Sequence, residues 1–165
     1  MRAAALGMCL VVAVTVFAQQ PATSASSSGK AVLEAYASAW NRHDAAAFDK
    51  ILSPDAVHED IALAVYAQGS AQIKDFMQKV LQAQPDLDWR LTRIVESGPV
   101  VVAEWTWSST FTGDSPTGPV KDQRVSGRGV SVVVIENGQL KHLTDYYDLA
   151  SFFRKGSTDT AKSDK

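Results

Sequence analysis

Two short segments of the sequence combine acids with other groups that can exchange protons. In residues 140–147, Asp145 stands among aromatic and aliphatic residues. In residues 56–61, His58 and Asp60 are two positions apart, so in a strand both side chains would point to one face. A carboxyl group among apolar side chains has a raised pKa and can act as a general acid or base. The pattern predicts acid–base chemistry.

A hairpin is predicted to position Asp145. The β-branched run at 130–135 and the pair Asn137-Gly138 predict two strands joined by a tight turn. A two-residue turn would place Val130 opposite Asp145, whereas a three-residue loop would place Gly129 there. We favour the three-residue loop, because small residues would then leave space above the acid and Tyr147. These small residues are Gly127, Gly129 and Ser131.

Helical spacing of apolar residues precedes the strands. It predicts a helix over 30–42 with Tyr36 on its buried face, a short helix capped by Asp44, and a third helix with Phe76 in its apolar stripe. Alternation then predicts strands in which Trp105 and Trp107 share a face, with 113–122 as a mobile loop. This order predicts an α+β domain in which three N-terminal helices pack on a curved antiparallel sheet and form a cone-shaped pocket.

Composition narrows the classes of partner. The 165 residues include 16 basic and 18 acidic side chains, a formal charge of −2, and no basic block, so nucleic acid is not an expected partner. The three histidines lack the spacing of a metal site, and the single cysteine, Cys9, lies in an apolar N-terminal stretch. We therefore expect neither a metal nor another cofactor.

The N-terminus is typical of an export signal. Arg2 precedes an apolar stretch over 3–17, and Ala18 ends a small-residue cleavage site. We predict a signal and cleavage region at 1–25, a domain at 26–155 and a disordered tail at 156–165. The mature protein would then be periplasmic or secreted, without stable membrane insertion. The stretch is short for a membrane span, although an uncleaved anchor remains an alternative.

Two segments carry a resemblance to a known superfamily. YASAWNRHDAAAFDKILSPDAVHED and GRGVSVVVIENGQLKHLTDYYDLASFF resemble the nuclear-transport-factor-two-like superfamily, and within it the SnoaL-like polyketide cyclases. The resemblance covers roughly residues 30–155. It implies the fold more specifically than the reaction, because the superfamily contains cyclases, isomerases, hydrolases and binding proteins.

The segment DYYDL is similar to the strand that carries the catalytic aspartate of limonene-epoxide hydrolases, and this likeness falls on Asp145. That family also needs an arginine and a second aspartate, at places that here hold Trp105 and Trp107. Its water-holding tyrosine and asparagine are replaced by His58 and Asp60. The resemblance therefore does not imply epoxide hydrolysis.

Ketosteroid isomerases give a second resemblance. Their oxyanion-donating tyrosine matches Tyr36 in Tyr-x-x-x-Trp-Asn-x-x-Asp, and their general base matches Asp60. Their second oxyanion donor, a protonated aspartate in the family example, has no counterpart near 129–131. The resemblance implies proton transfer next to a carbonyl rather than an identical reaction.

Together these observations predict an exported, cofactor-independent isomerase or cyclase. Asp60 or Asp145 would remove a proton from an apolar cyclic or polyketide-like substrate, and Tyr36 or His58 would support the developing enolate oxygen. The predicted apolar wall consists of Phe76, Trp105, Trp107, Leu143 and Tyr147. The alternatives are a non-catalytic pocket protein for an apolar metabolite or lipid, and a purely structural dimer module.

The outer face of the sheet is the predicted partner surface. Val130, Val132 and Val134 would form an apolar strip there, so we expect a homodimer through the sheet. His142 is expected on the same outer face, away from Asp145.

Overall fold

The computed structural model describes residues 28–115 and 118–152. The predicted export signal with Cys9 and the predicted tail lie outside the described residues. Within the described parts, no helix has the length and apolar character needed to cross a membrane.

The helices and strands follow in the predicted order, apart from one additional short strand at Val65–Gln68, where the sequence predicted a loop up to Gly69. The helices are α1 (Gly29–Asn41), α2 (Phe48–Ile51), α3 (Gly69–Ala83) and α4 (Leu149–Phe152), with a 3-10 turn at Ala45–Ala47. The strands are β1 (Leu52–Asp60), β2 (Val65–Gln68), β3 (Asp88–Ser97), β4 (Val100–Ser115), β5 (Gly118–Glu136) and β6 (Gln139–Tyr147).

The six strands form one open sheet in the order β2-β1-β6-β5-β4-β3. The α+β class and its helix and strand content are confirmed, but the sheet is mixed rather than antiparallel, since β1 pairs with β6 in parallel. A hairpin turn forces antiparallel pairing, whereas the long chain between β1 and β6 leaves their direction free. This parallel pair aligns the two segments that carry the predicted acids.

Helix α1 is fixed at its N-terminus. The Ser28 hydroxyl accepts a hydrogen bond from the backbone of Ala31 at 3.2 Å. The Glu96 carboxylate of β3 accepts from the backbone nitrogen of Gly29 at 2.7 Å and from that of Lys30 at 3.3 Å. Free backbone donors and the helix dipole both favour a carboxylate at this end. These contacts hold α1 against the sheet and direct its buried face toward the strands.

The turn between β5 and β6 contains two residues. Asn137 and Gly138 both have positive φ, 51° and 77°, as a type I′ turn requires. A bulge then shifts the register between the pairs Ile135–Leu140 and Val134–His142. The favoured three-residue loop is therefore wrong.

The bulge also changes the partner of the acid. Asp145 lies opposite Ser131, rather than Gly129 or Val130, and Tyr147 lies opposite Gly129. Neither predicted register is correct, because sequence rules for turn length do not include a bulge further along the strand. A slip of two residues conserves which side chains share a face, so Ser131 and Gly129 still lie on the side of Asp145.

Gly129 does not open empty space. It pairs with Trp105 across β4 and β5, and a Cβ at this position would come within 2.5 Å of the Trp105 ring and 2.6 Å of the Tyr146 carbonyl oxygen. The indole occupies the room that glycine leaves. The expectation of a cavity above the small residues is thus corrected: the small residue allows Trp105 to lie on the sheet.

Two predicted boundaries also change. The loop predicted over 113–122 contains paired strand residues, with Gly113 opposite Val120 and Ser115 opposite Gly118, so β4 and β5 extend into it. Pro119, which pairs with Asp114, does not prevent this, because the hairpin needs few backbone donors near its end. Strand β1 begins at Leu52, which is earlier than the predicted position 56.

Candidate active site

A cavity between the helices and the sheet collects the predicted chemical groups. Its volume is about 40 Å³, which is room for a small substituent or a water molecule. Among the predicted site residues, those that line it are Tyr36, His58, Asp60, Phe76, Trp105, Trp107, Asp145 and Tyr147. Leu143 is the exception, because it is fully buried in the hydrophobic core and does not line the cavity.

An outer depression of about 490 Å³ adjoins this cavity. Residues that line both spaces are Leu63, Phe76, Val80, Trp107 and Tyr147. The outer space is mostly apolar, with Phe111 and Leu149 in its wall and Lys79 and Asp114 as its charged residues. An apolar ligand can therefore keep its body outside and insert only a small reacting end between the acids.

The two carboxylates occupy paired positions. Asp60 on β1 and Asp145 on β6 are direct neighbours in the parallel ladder. Side chains of paired residues lie on the same face of a sheet, and both of these face the cavity. The negative charge of Asp145 is one of the causes that raise the pKa of Asp60.

Both oxygens of Asp145 have hydrogen-bond partners. His58 Nε2 lies 3.1 Å from Oδ2, and the Ser131 hydroxyl donates to Oδ1. The His58 side chain is almost completely buried and that of Asp145 is 13% exposed, so water contributes little to either. A carboxylate with two donors has a fixed orientation, as a general base needs.

The Tyr36 side chain lines the cavity, but its hydroxyl forms a hydrogen bond with His58. Its hydroxyl lies 3.1 Å from His58 Nδ1. Burial raises the pKa of Tyr36 strongly; a hydrogen bond with Trp40 opposes the rise, and the charge of Asp145 adds to it. Tyr36 therefore keeps its proton at every physiological pH and serves as a hydrogen-bond donor.

Asp60 has a different set of donors. Its Oδ1 accepts from the backbone nitrogen of Leu63 at 2.8 Å, and its Oδ2 accepts from the Tyr147 hydroxyl at 2.9 Å. Burial raises the pKa of Asp60 above its ordinary value, and the charge of Asp145 adds to this rise. The two donors and His58 oppose the rise without cancelling it. The environment of Asp60 thus favours its protonated form.

This raised pKa gives a testable pH dependence of stability. The folded protein binds the Asp60 proton more tightly than the unfolded chain, so Asp60 stabilises the fold below its ordinary pKa of 3.8. That stability is lost as the pH rises through the folded-state pKa, by about 1.4 kcal/mol for each unit of difference. Asp60→Asn removes the dependence. Urea unfolding from about pH 4 to pH 8 should show the variant gaining stability relative to wild type as the pH rises. A constant difference would contradict the assignment.

Sequence patterns do not identify every lining residue. They indicate Ser131 only as a small residue, and they assign no site role to Trp89, Trp40 or Leu63, which also line the cavity or contact its acids. The alternation that begins at residue 87 could have identified Trp89, since it points to the same face as Leu87 and Leu91. No sequence signal identifies Leu63, because its contribution is a backbone amide in a turn.

No group of three or more histidine, cysteine, aspartate or glutamate side chains within 28–115 and 118–152 is arranged to hold a metal ion. The predicted outer position of His142 is confirmed, since its Nε2 lies 3.6 Å from Glu59 on the face away from the cavity. The groups available for chemistry in the cavity are therefore carboxyl, imidazole, hydroxyl and indole.

Comparison with solved structures identifies proteins with a similar fold. One is AclR of Streptomyces galilaeus, which is provisionally assigned as a hydroxylase. It is 28% identical in sequence with a TM-score of 0.60, and the match covers 73% of this chain and 88% of AclR. A provisionally assigned polyketide cyclase of Acidithiobacillus ferrooxidans is 22% identical with a TM-score of 0.66, over 79% and 95%. A protein of ketosteroid isomerase-like fold from Catenulispora acidiphila, solved with trimethylamine, is 17% identical with a TM-score of 0.66, over 76% and 91%.

Comparison with curated protein sequences gave no significant match. The sequence profile of the SnoaL-like polyketide cyclases matches residues 30–155, which include every side chain that lines the cavity. The predicted resemblance is therefore confirmed, and the chain belongs to the SnoaL-like polyketide cyclase family.

Proposed function

We propose that this protein catalyses proton transfer at a carbon next to a carbonyl group, which leads to isomerisation or aldol-type ring closure of an apolar cyclic or polyketide-like substrate. The observation that supports this most is the pair of carboxyl groups, Asp60 and Asp145, at neighbouring positions in one apolar cavity with different donors. Two acids with environments that separate their proton affinities can divide the roles of base and acid.

Asp145 is the base in this proposal. Its carboxylate takes the proton from the substrate carbon, and the electron pair of the broken C–H bond moves toward the carbonyl oxygen. His58 and Ser131 hold both carboxylate oxygens, and Tyr36 holds His58. This differs from the prediction that Tyr36 or His58 supports the enolate oxygen, since the Tyr36 hydroxyl contacts His58 and His58 contacts Asp145.

Tyr147 and Asp60 support the developing oxyanion. In the structure, the Tyr147 hydroxyl donates to Asp60. When Asp60 is protonated, its own hydroxyl can donate to the phenolic oxygen, and the Tyr147 hydrogen is then free for the substrate oxygen. The enolate either recovers a proton from Asp145 at a second carbon or attacks a second carbonyl, whose oxygen takes a proton from this pair. A donor placed at a developing oxyanion typically changes the rate by about 10²–10³-fold.

Hydrogen–deuterium exchange offers a test that does not require the natural substrate. Cyclic β-keto esters have an acidic C–H bond next to two carbonyl groups and an apolar ring that suits the outer depression. NMR in D₂O should show exchange that is accelerated by the protein and saturates with ester concentration. Binding of the esters without any accelerated exchange would favour the alternative of a non-catalytic pocket protein.

The proposal includes export and a homodimer. Export is supported by the N-terminal pattern of Arg2, the apolar stretch and Ala18. The homodimer is supported by exposed apolar side chains on the outer face of the sheet, among them Val95 at 51% and Tyr146 at 50% exposure. Light scattering at micromolar concentration should give twice the mass of the mature chain, and a stable monomer would reject this part of the proposal.

A further inference from the structure

Two hydrogen-bond chains meet on Asp145. On one side, Trp105 Nε1 donates to the Ser131 hydroxyl oxygen at 2.8 Å, and that hydroxyl donates to Asp145 Oδ1. On the other side, the Tyr36 hydroxyl contacts His58 Nδ1 and His58 Nε2 contacts Asp145 Oδ2, each at 3.1 Å. Of the two carboxyl groups that line the cavity, only that of Asp145 is the end point of two such hydrogen-bond chains.

The first chain has a fixed direction. An indole N–H group is a donor only, so the Ser131 oxygen must accept from Trp105 and its own hydrogen is directed to Asp145. If Asp145 carried a proton on Oδ1, that oxygen would become a donor and Ser131 would have to turn its hydrogen away. Ser131 is fully buried, where a polar hydrogen without an acceptor is costly. Trp105 thus disfavours a proton on Oδ1, and it favours the ionised form of Asp145 because a hydroxyl donates more strongly to a carboxylate than to a carboxylic acid.

The second chain agrees with this direction. With Asp145 ionised, His58 Nε2 must carry the hydrogen that points to Oδ2. A neutral His58 then has a bare Nδ1, which accepts from Tyr36. Tyr36 keeps its proton because of its burial, so it can supply this bond. With this tautomer of His58, every donor in both chains points toward Asp145.

We propose that Trp105, acting through Ser131, decides which of the two cavity carboxyl groups is the base, by keeping Asp145 ionised and leaving the proton to Asp60. The inference rests on the proposed function, in which Asp145 is the base. Trp105 and Ser131 are positioning residues here, because they act through Asp145. Gly129 is part of the device, since a side chain there would displace the indole.

Carbon-13 NMR of the aspartate carboxyl groups tests the inference without a substrate. The titratable groups that face Asp145 are His58 and Asp60 from β1, Tyr36 from α1 and Tyr147 from its own strand. We expect Asp145 to titrate at lower pH than Asp60 in the wild type. Ser131→Ala should raise the midpoint of Asp145 by about one pH unit, a tenfold weaker acid, because a donor to the charged form is lost.

Trp105→Phe keeps an aromatic ring but removes the indole N–H donor together with part of the ring volume. We expect it to raise the Asp145 midpoint by less than Ser131→Ala does, because Ser131 can still donate. Ser109→Ala is the matched control: Ser109 is also fully buried, on β4, but donates to Gln84 Oε1 at 2.7 Å, which is not a cavity carboxyl. This control should leave the order of the two aspartates unchanged.

Nitrogen-15 NMR shows which ring nitrogen of His58 carries the hydrogen, and therefore the direction of the second chain. At neutral pH we expect a hydrogen on Nε2 and none on Nδ1. The opposite tautomer, a wild-type Asp60 that titrates below Asp145, or unchanged midpoints in both Ser131→Ala and Trp105→Phe would each overturn the inference. If Ser131→Ala does not fold, Trp105→Phe and the wild-type spectra decide. If the two aspartates titrate in the expected order but the protein does not accelerate hydrogen–deuterium exchange, the proposed function is rejected and the present inference about Asp145 and Asp60 is not.

Discussion

Replacement of Asp145 by asparagine should reduce the exchange rate of bound β-keto ester at least about a hundredfold, the usual scale for a positioned general base. Asparagine has nearly the same shape, and its side-chain oxygen can still accept from His58 Nε2. Its amide nitrogen then replaces the oxygen that accepts from Ser131, so that one hydrogen bond is lost while the shape of the cavity is kept. Ligand affinity should therefore remain within about threefold. Isothermal titration calorimetry and NMR exchange measure the two quantities on one sample.

Asp88→Asn provides the control for this variant. Asp88 is a partly exposed strand aspartate that pairs with Arg90, outside the cavity lining. We expect wild-type exchange from it. Equal exchange rates in wild type and Asp145→Asn would remove Asp145 from the mechanism. A variant series in which Trp107→Ala weakens ligand binding while Asp145→Asn changes nothing would instead identify a binding protein.

The sequence predicts the cavity groups well, because the spacing of apolar residues within one helix or strand determines which face each side chain lies on. His58 and Asp60 alternate in a strand, Tyr36 lies on the apolar stripe of a helix, and Trp105 and Trp107 alternate with polar residues. All five line the cavity. Each of these predictions needs only the side-chain direction within one element.

What the sequence does not predict is contact between distant elements. The parallel pairing of β1 with β6 places Asp60 beside Asp145, and no local rule gives this pairing. The bulge in β6 moves Asp145 from the predicted Gly129 to Ser131. The role of Ser131 depends on that shift, since a hydroxyl opposite the acid can donate to it and glycine cannot. The chemistry of the site therefore depends on register more than on composition.

The large Trp105 side chain also changes what the small residue Gly129 indicates about the cavity. From sequence, Gly129 indicates space for a ligand, whereas in the structure it indicates space for an indole. The two interpretations predict different cavities, one deep and one shallow. The inner volume of about 40 Å³ agrees with the shallow one and places most of any substrate in the outer depression.

Tyr147→Phe should reduce the exchange rate by about a hundredfold while the ligand dissociation constant stays within about threefold. Phenylalanine keeps the ring that packs against Trp105 and Trp107, at centroid distances of 5.7 and 6.1 Å. The change removes only the hydroxyl that bonds Asp60 and that is proposed to reach the substrate oxygen. A loss in rate without a loss in affinity therefore separates an oxyanion donor from a wall residue.

The neighbouring tyrosine gives a matched control for this last prediction. Tyr146 is 50% exposed and lies on the opposite face of β6, so Tyr146→Phe removes the same atom from the same strand without touching the cavity. We expect wild-type exchange from Tyr146→Phe. Equal rates in the two variants would show that the enolate oxygen does not depend on Tyr147. The Asp60–Tyr147 pair would then serve only to hold the turn at Leu63, and the oxyanion donor would have to be sought among the other groups that line the cavity.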